Sequence, residues 1–256
     1  MSAFNKLDPI KLSDFDPSKI SYTEPRKLAI GKLSFINYNG APLCIQTPEL
    51  LSTFGASSFS GEGKLSMALS YREGEKTDTI DKFFNLYEKL DKAVFDQSLI
   101  AKDWFNLKGK SMSADVAEAW QVKSIKQGAD KKYPPFINVK FQYDKEGNIT
   151  CPIFDKDRNQ INDEVVQGSF RNSKVRAILQ CNGVWIGDKK FSTSWTIKQL
   201  KVTLQERLSG YSFLYDSEDE EVVKGVASIN LENKENIDTP ADEDDDDDLE
   251  LDSDED

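Results

Sequence analysis

The chain has 256 residues, 45 acidic and 33 basic, with 38% hydrophobic residues and no histidine. That length suits one large domain or two small ones, with enough chain to bury a core. The absence of histidine excludes serine–histidine and cysteine–histidine nucleophiles, histidine general bases and every histidine-containing zinc site.

Three cysteines, Cys44, Cys151 and Cys181, are odd in number and widely spaced. They read as small core residues of a reducing, intracellular protein and not as a disulfide or zinc framework. No apolar run approaches the ~18–20 residues of a membrane span, and the first residues lack the hydrophobic stretch of a signal peptide.

In chain order, residues 1–25 carry Pro9, Pro17 and Pro25 without a sustained hydrophobic period, and read as an extended arm. Two apolar bursts at 28–30 and 33–36 lead into Asn39-Gly40, a hairpin signal, with 43–46 as the returning strand. Residues 55–63 are small and glycine-rich and read as a loop. Residues 64–71 alternate Leu65, Met67, Leu69 and Tyr71 with polar or small residues, the pattern of a half-buried strand. Ile80, Phe83, Phe84, Tyr87, Leu90 and Val94 then fall at three- and four-residue steps. This predicts an amphipathic helix over 79–97, extendable to 106 and started by Asp78 or Thr79.

After Gly109 the period of two returns. Ile137, Val139, Phe141 and Tyr143 alternate with polar residues, 145–148 turns the chain into 149–154, and 155–160 is a second polar turn. Val175, Ala177, Leu179 and Cys181 face one way along the next strand, and Gly187-Asp188 turns into a last strand over 191–204. There Phe191, Thr193, Trp195 and Ile197 share a face, and a slip of phase near Gln199 predicts a bulge. Strands at short spacing around one inserted helix point to a mainly β protein. The architecture expected is a five-stranded Greek-key barrel of the OB type, whose helix lies between the third and fourth strands. The domains expected are an arm over 1–25, the barrel over 26–215 and a tail over 216–256.

The net charge of −12 hides a division. Residues 216–256 hold 20 acidic and 2 basic residues, so the rest of the chain is basic, about +6. Residues 242–256 alone carry 12 acidic residues in 15 and read as a disordered acidic tail. Residues 108–207 hold 18 basic and 11 acidic residues, interleaved with rings. Lys131, Lys132 and Tyr133 are adjacent, Lys140 stands near Tyr143, Lys174 and Arg176 project from one strand face, and Trp185 precedes Lys189, Lys190, Phe191 and Trp195. Cations for phosphates beside rings for bases are what single-stranded nucleic acid binding requires. Taken singly, each basic residue also fits a solvated strand face, and each ring a core position. Ile137, Phe141 and Leu179 are core on this reading. Phosphate loops and EF-hand spacing are absent from the sequence, so neither cofactor nor metal is expected.

Residues 152–204 resemble the second half of the single-stranded-DNA-binding proteins of T7-type phages and similar OB-fold proteins of large DNA viruses. The resemblance is carried by Phe154-Asp155-Lys156-Asp157-Arg158-Asn159, by Gly168-Ser169, by Ser173-Lys174-Val175-Arg176-Ala177-Ile178-Leu179 and by the position of Trp185. It implies an OB barrel with an inserted helix, adds Arg158 to the candidate DNA contacts, and implies a non-catalytic accessory of replication, recombination and repair. Such a protein coats single strands and promotes annealing, at the site of viral DNA replication in the cytoplasm or nucleus of the host. The tail (Asp242, Glu243, Asp244, Asp245, Asp246, Asp247, Asp248, Leu249, Glu250, Leu251, Asp252, Asp254, Glu255 and Asp256) would compete with DNA and recruit a polymerase or helicase. The phage tails end in an aromatic residue, whereas this sequence ends in Asp256. Homo-oligomerisation stays open, and no membrane partner is expected. Two other classes compete: an acidic-tailed chaperone of basic proteins such as histones, and a metal nuclease using paired carboxylates.

Overall fold

Alternating apolar residues wall the inner side of five strands, and these strands close on one another. A computed structural model describes residues 8–58, 63–72, 74–107, 111–128, 133–161, 165–166 and 168–204. The first residues described run through two 3-10 turns, Leu12–Asp14 and Pro17–Lys19, into β1 (Ile20–Tyr22). Ile10 bridges to Ile45, and the Phe15 ring stacks on Tyr38 with centroids 5.8 Å apart, so this arm lies against the body.

Two hairpins follow, β2 (Arg26–Lys27) with β3 (Lys32–Ser34), and β4 (Ile36–Tyr38) with β5 (Ala41–Pro42). Asn39 and Gly40 turn the second with φ of 51° and 78°, as the Asn-Gly pair predicts. β1, β4 and β5 form a small sheet of their own. The remaining strands are β6 (Cys44–Gln46), β7 (Leu50–Ser57), β8 (Ser66–Ser70), β9 (Ile125–Lys126), β10 (Phe136–Lys140), β11 (Ile153–Phe154), β12 (Ser173–Ile186) and β13 (Phe191–Thr203).

The ring closes in the order β7, β8, β10, β13, β12 and back to β7. Every pairing is antiparallel except β10 with β13, which meet in parallel at Lys140 and Thr196. That is the OB arrangement of a five-stranded barrel. β6 does not return to its hairpin but pairs with β12 at residues 178–180. Between Ile178 and Leu179 the β12–β13 register shifts, leaving Lys198 unopposed beside Gln199, where the sequence predicts a bulge.

Helix α1 (Asp78–Ile100) buries the predicted stripe from Ile80 to Val94, and its Tyr87 ring lies 4.9 Å from Trp195 of the barrel. The cap is Thr77, whose hydroxyl accepts the Ile80 N–H at 3.3 Å, and not Asp78 or Thr79. Counting only the strands that close the ring, α1 enters between the second and third, because the β2–β5 hairpins stand outside it. A short helix α2 (Ala114–Trp120), capped by Ser113, is an addition to the sequence reading. Only Ala117 of it is buried, so it shows no apolar period. The loop expected at 55–63 is also shorter. β7 runs on through Gly55, Ala56 and Ser57, held by Ala56 N–H to the Ser169 carbonyl at 2.8 Å and Gly168 N–H to the Ala56 carbonyl at 2.7 Å.

All three cysteines are free and buried. Burial pushes the Cys181 thiol up to about 12, which keeps it protonated and inert.

Candidate nucleic-acid interface

Long strands carry side chains outward as well as inward, and the outer face of the β12–β13 ribbon is polar. Asn182 donates from Nδ2 to Ser194 Oγ at 3.3 Å and to Thr196 Oγ1 at 2.7 Å. One register row runs Leu33, Trp185, Ser192 across β3, β12 and β13, and another joins Gln180 to Thr196 and Thr196 to Lys140. Between these rows lies a groove of about 690 Å³. Its lining includes Lys123, Lys126 and Lys140, no acidic residue, and the rings of Phe35, Tyr87, Trp185 and Trp195. Phe35 and Leu28 at its edge are each 42% exposed.

The indole of Trp185 is half-buried and held in place by small neighbours. A Cβ on Gly31 would stand 3.3 Å from the ring and one on Gly187 only 2.6 Å from it, so neither position has room for a side chain. The Lys190 ammonium sits 5.4 Å above the ring centroid, a cation–π contact next to the groove.

The opposite wall depends on a buried carboxylate. Asp91 of α1 is 8% exposed, and accepts the Ser124 N–H at 2.8 Å and the Ser124 hydroxyl at 2.6 Å. Ser124 Oγ also shares a hydrogen bond with Thr193 Oγ1 at 2.7 Å. Burial raises the Asp91 carboxyl above its usual range, while its bonds to Ser124 pull it down. This link holds the segment bearing Lys123 and Lys126 together with the Val122 N–H on the Phe191 carbonyl at 2.8 Å and the pairing of β9 with β10. Asp91→Ala is therefore expected to cost about 2–3 kcal/mol in urea unfolding, since it strands the Ser124 N–H without a partner.

The structure divides the residues singled out in the sequence. Lys140 and Trp185 line the groove, and Lys190 lies beside it over the indole; Lys189 is exposed in the same turn. Phe191 is corrected to a core residue: it is 0% exposed, with its ring edge-to-face on Trp104 and Phe105. Trp195 is 3% exposed against Tyr87 and forms floor, with no free face for a base. Tyr143 is half-buried, and its hydroxyl accepts the Leu65 N–H at 2.7 Å; Tyr133 is exposed, away from the groove lining.

Lys174 and Arg176 line a different groove of about 950 Å³, together with Glu49 and Glu75. Lys174 lies 3.6 Å from Glu49 and 3.8 Å from Glu75, so an incoming phosphate must compete with two carboxylates. Lys131, Lys132 and the acidic residues 242–256 lie outside the described residues. The reading of single residues missed Lys123, Lys126 and Phe35. The two lysines are visible in the basic density of 108–207, but only the fold brings them to the same wall.

Arg158 stands in a turn that occurs twice. In 144–148 and in 155–159 an aspartate Oδ1 accepts the N–H groups two and four residues on, and its Oδ2 accepts from the following asparagine amide. These bonds hold both Asp144 and Asp155 below the usual carboxylate range. The fourth position has positive φ in both copies, and is Gly147 (90°) in one and Arg158 (70°) in the other. An arginine there is strained by about 1 kcal/mol, so the fold itself gives no reason for it. Arg158→Gly is expected to leave the melting temperature unchanged or to raise it, which makes it a clean test of the guanidinium as a contact.

No family model matches the chain, and no curated protein matches it. Among solved structures, the chain is similar to the single-stranded DNA-binding protein of bacteriophage Enc34 as a C-terminal truncation. That match has 11% identity over 75% of this chain and 99% of the other, with a TM-score of 0.40. It is also similar to gp2.5, a single-stranded DNA-binding protein encoded by bacteriophage T7, with 8% identity over 71% of this chain and 94% of that one, TM-score 0.43. A third match is the Enc34 protein in complex with single-stranded DNA, at 10% identity over 74% and 99% of the chains, TM-score 0.38.

Proposed function

We propose that this chain binds single-stranded DNA in the groove between β10, β12 and β13, as a non-catalytic protein of viral DNA replication, recombination and repair acting where that DNA is copied in the host cell. The observation that carries the reading is the groove's composition: three lysines, no acid and several rings along one polar floor. Lysines meet phosphates whatever the sequence, and each base offers a π-face to a ring, at about 1–3 kcal/mol per stacked base. Lys123, Lys126 and Lys140 would take phosphates, Trp185 and Phe35 would take bases, and Lys190 would sit at the edge.

Residues 216–256, with 20 acidic residues, would compete with DNA for the same lysines and offer a binding segment to replication proteins. Tethering gives such a segment a high effective concentration, and salt weakens it over a Debye length of about 8 Å at physiological ionic strength.

The experiment is a titration of oligo-dT into the full chain and into a chain ending at Ile237, across a range of salt. Log affinity is expected to fall with log salt at roughly −0.7 per phosphate contacted. The shortened chain should bind more tightly, with the gap largest at low salt. Affinity independent of salt removes the electrostatic core of the proposal. A chaperone of basic proteins predicts instead that shortening abolishes histone binding and leaves oligo-dT unaffected.

A further inference from the structure

The β2–β3 hairpin ends in an apolar tip that the fold does not use. Its turn is closed by the Leu28 N–H on the Gly31 carbonyl at 3.0 Å, which leaves Ala29 and Ile30 at the apex. Ile30 is 78% exposed, the highest value among the large hydrophobic residues described, and Leu28 below it already lines the edge of the lysine groove.

The hairpin behind this tip is anchored at three places. Gly31 has φ of 79°, and a Cβ there would stand 2.5 Å from the Ile186 carbonyl oxygen, so the turn is seated directly on the end of β12. Lys32 Nζ donates to the Asp103 carbonyl at 2.7 Å, tying the hairpin just below its turn to the chain after α1. Thr23 Oγ1 accepts the Phe35 N–H at 2.9 Å on the other side. Arg26 and Lys27, both exposed, make no ion pair among the described residues. The result is a stiff projection with a bare apolar tip, free cations on its stem and a nucleic-acid groove at its foot.

We propose that this tip is a strand-separating wedge. Where a single strand lying in the groove runs into duplex, Ile30 inserts at the terminal base pair while Arg26 and Lys27 hold flanking phosphates. Aliphatic side chains inserted between base steps unstack DNA, at a cost that the added protein contacts offset. The inference rests on the single-strand reading of the groove. Charge selects nucleic acid as the occupant: the exposed stem residues are cations, and the apolar tip is continuous with a lysine-lined groove and not with a larger apolar surface.

The test uses the full chain, a fork whose GC-rich duplex arm is too stable to melt, and 2-aminopurine in the first base pair at the junction. The unsubstituted protein is expected to raise the fluorescence of that base. Ile30→Ser should abolish the rise and leave oligo-dT affinity within about twofold, as for an ordinary surface change. Ile30→Leu should keep the rise. The wedge is overturned if Ile30→Ser opens the fork as well as the unsubstituted chain does, and a smaller sedimenting species in that case makes the tip a contact between copies. It is overturned equally if Ile30→Ser loses fork opening and oligo-dT binding in equal proportion, which makes Ile30 a groove contact. If the unsubstituted chain binds oligo-dT without brightening the junction, the wedge alone fails. If it binds no oligo-dT, the groove reading fails first.

Discussion

Reversing the charge of Lys123, Lys126 and Lys140 together is expected to abolish oligo-dT binding at physiological salt while the chain stays folded. All three side chains are exposed and none takes part in an ion pair among the described residues; Lys123 also acts through space on the buried Asp91, so its reversal adds a modest loss of stability and binding is compared below the melting transition. The effect on DNA is large because the groove holds no acid at present. Each substitution removes an attraction and adds a repulsion, and lost counterion release flattens the salt dependence by about 0.7 per phosphate contact. Fluorescence anisotropy with labelled oligo-dT measures both quantities. The comparison is the same reversal at Lys174 and Arg176, where Glu49 and Glu75 already neutralise part of the charge. That pair should cost much less.

Trp185→Ala should weaken binding by about 1–3 kcal/mol, some five- to 150-fold, if its ring stacks on a base. The substitution removes a half-buried ring at the end of β12, so a modest loss of stability is expected as well. Binding is therefore compared below the melting transition, with folding checked by circular dichroism. Phe191→Ala gives the contrasting outcome. That ring is fully buried among Trp104 and Phe105, so its loss should lower stability by about 3–5 kcal/mol, and the folded fraction should bind DNA almost normally. If Trp185→Ala leaves affinity untouched, the indole only supports the Gly31 and Gly187 turns.

The barrel strands and the main helix were legible because their hydrophobic periods are long. Val175, Ala177, Leu179 and Cys181 alternate over a strand buried on one side, and the stripe from Ile80 to Val94 covers more than four turns of helix. α2 was not legible, since a seven-residue helix that buries one alanine carries no period. The alternation in β8 predicts a half-buried strand, but Met67, Ala68, Leu69 and Ser70 are all buried, because neighbouring elements cover both of its faces. The same local view mixed core with surface among the aromatics. Phe191 and Trp195 share an inward face with Ile197, whereas Trp185 lies beyond a second register shift, between Cys181 and Gly183, that one strand's sequence does not announce. Lys123 and Lys126 belong to a segment with no strong pattern, and they reach the groove through the bonds from Ser124 to Asp91, the Val122 N–H on the Phe191 carbonyl and the pairing of β9 with β10.

Photocrosslinking of the full chain to an oligonucleotide carrying 5-iododeoxyuridine, followed by mass mapping of the adducts, tests the location of the site without perturbing it. Iododeoxyuridine reacts with rings it stacks on, so the account predicts adducts on Trp185 and Phe35, suppressed by high salt along with binding. Adducts confined to Tyr71 and its neighbours in the groove of Lys174 and Arg176, with Trp185 and Phe35 unmodified, would contradict it.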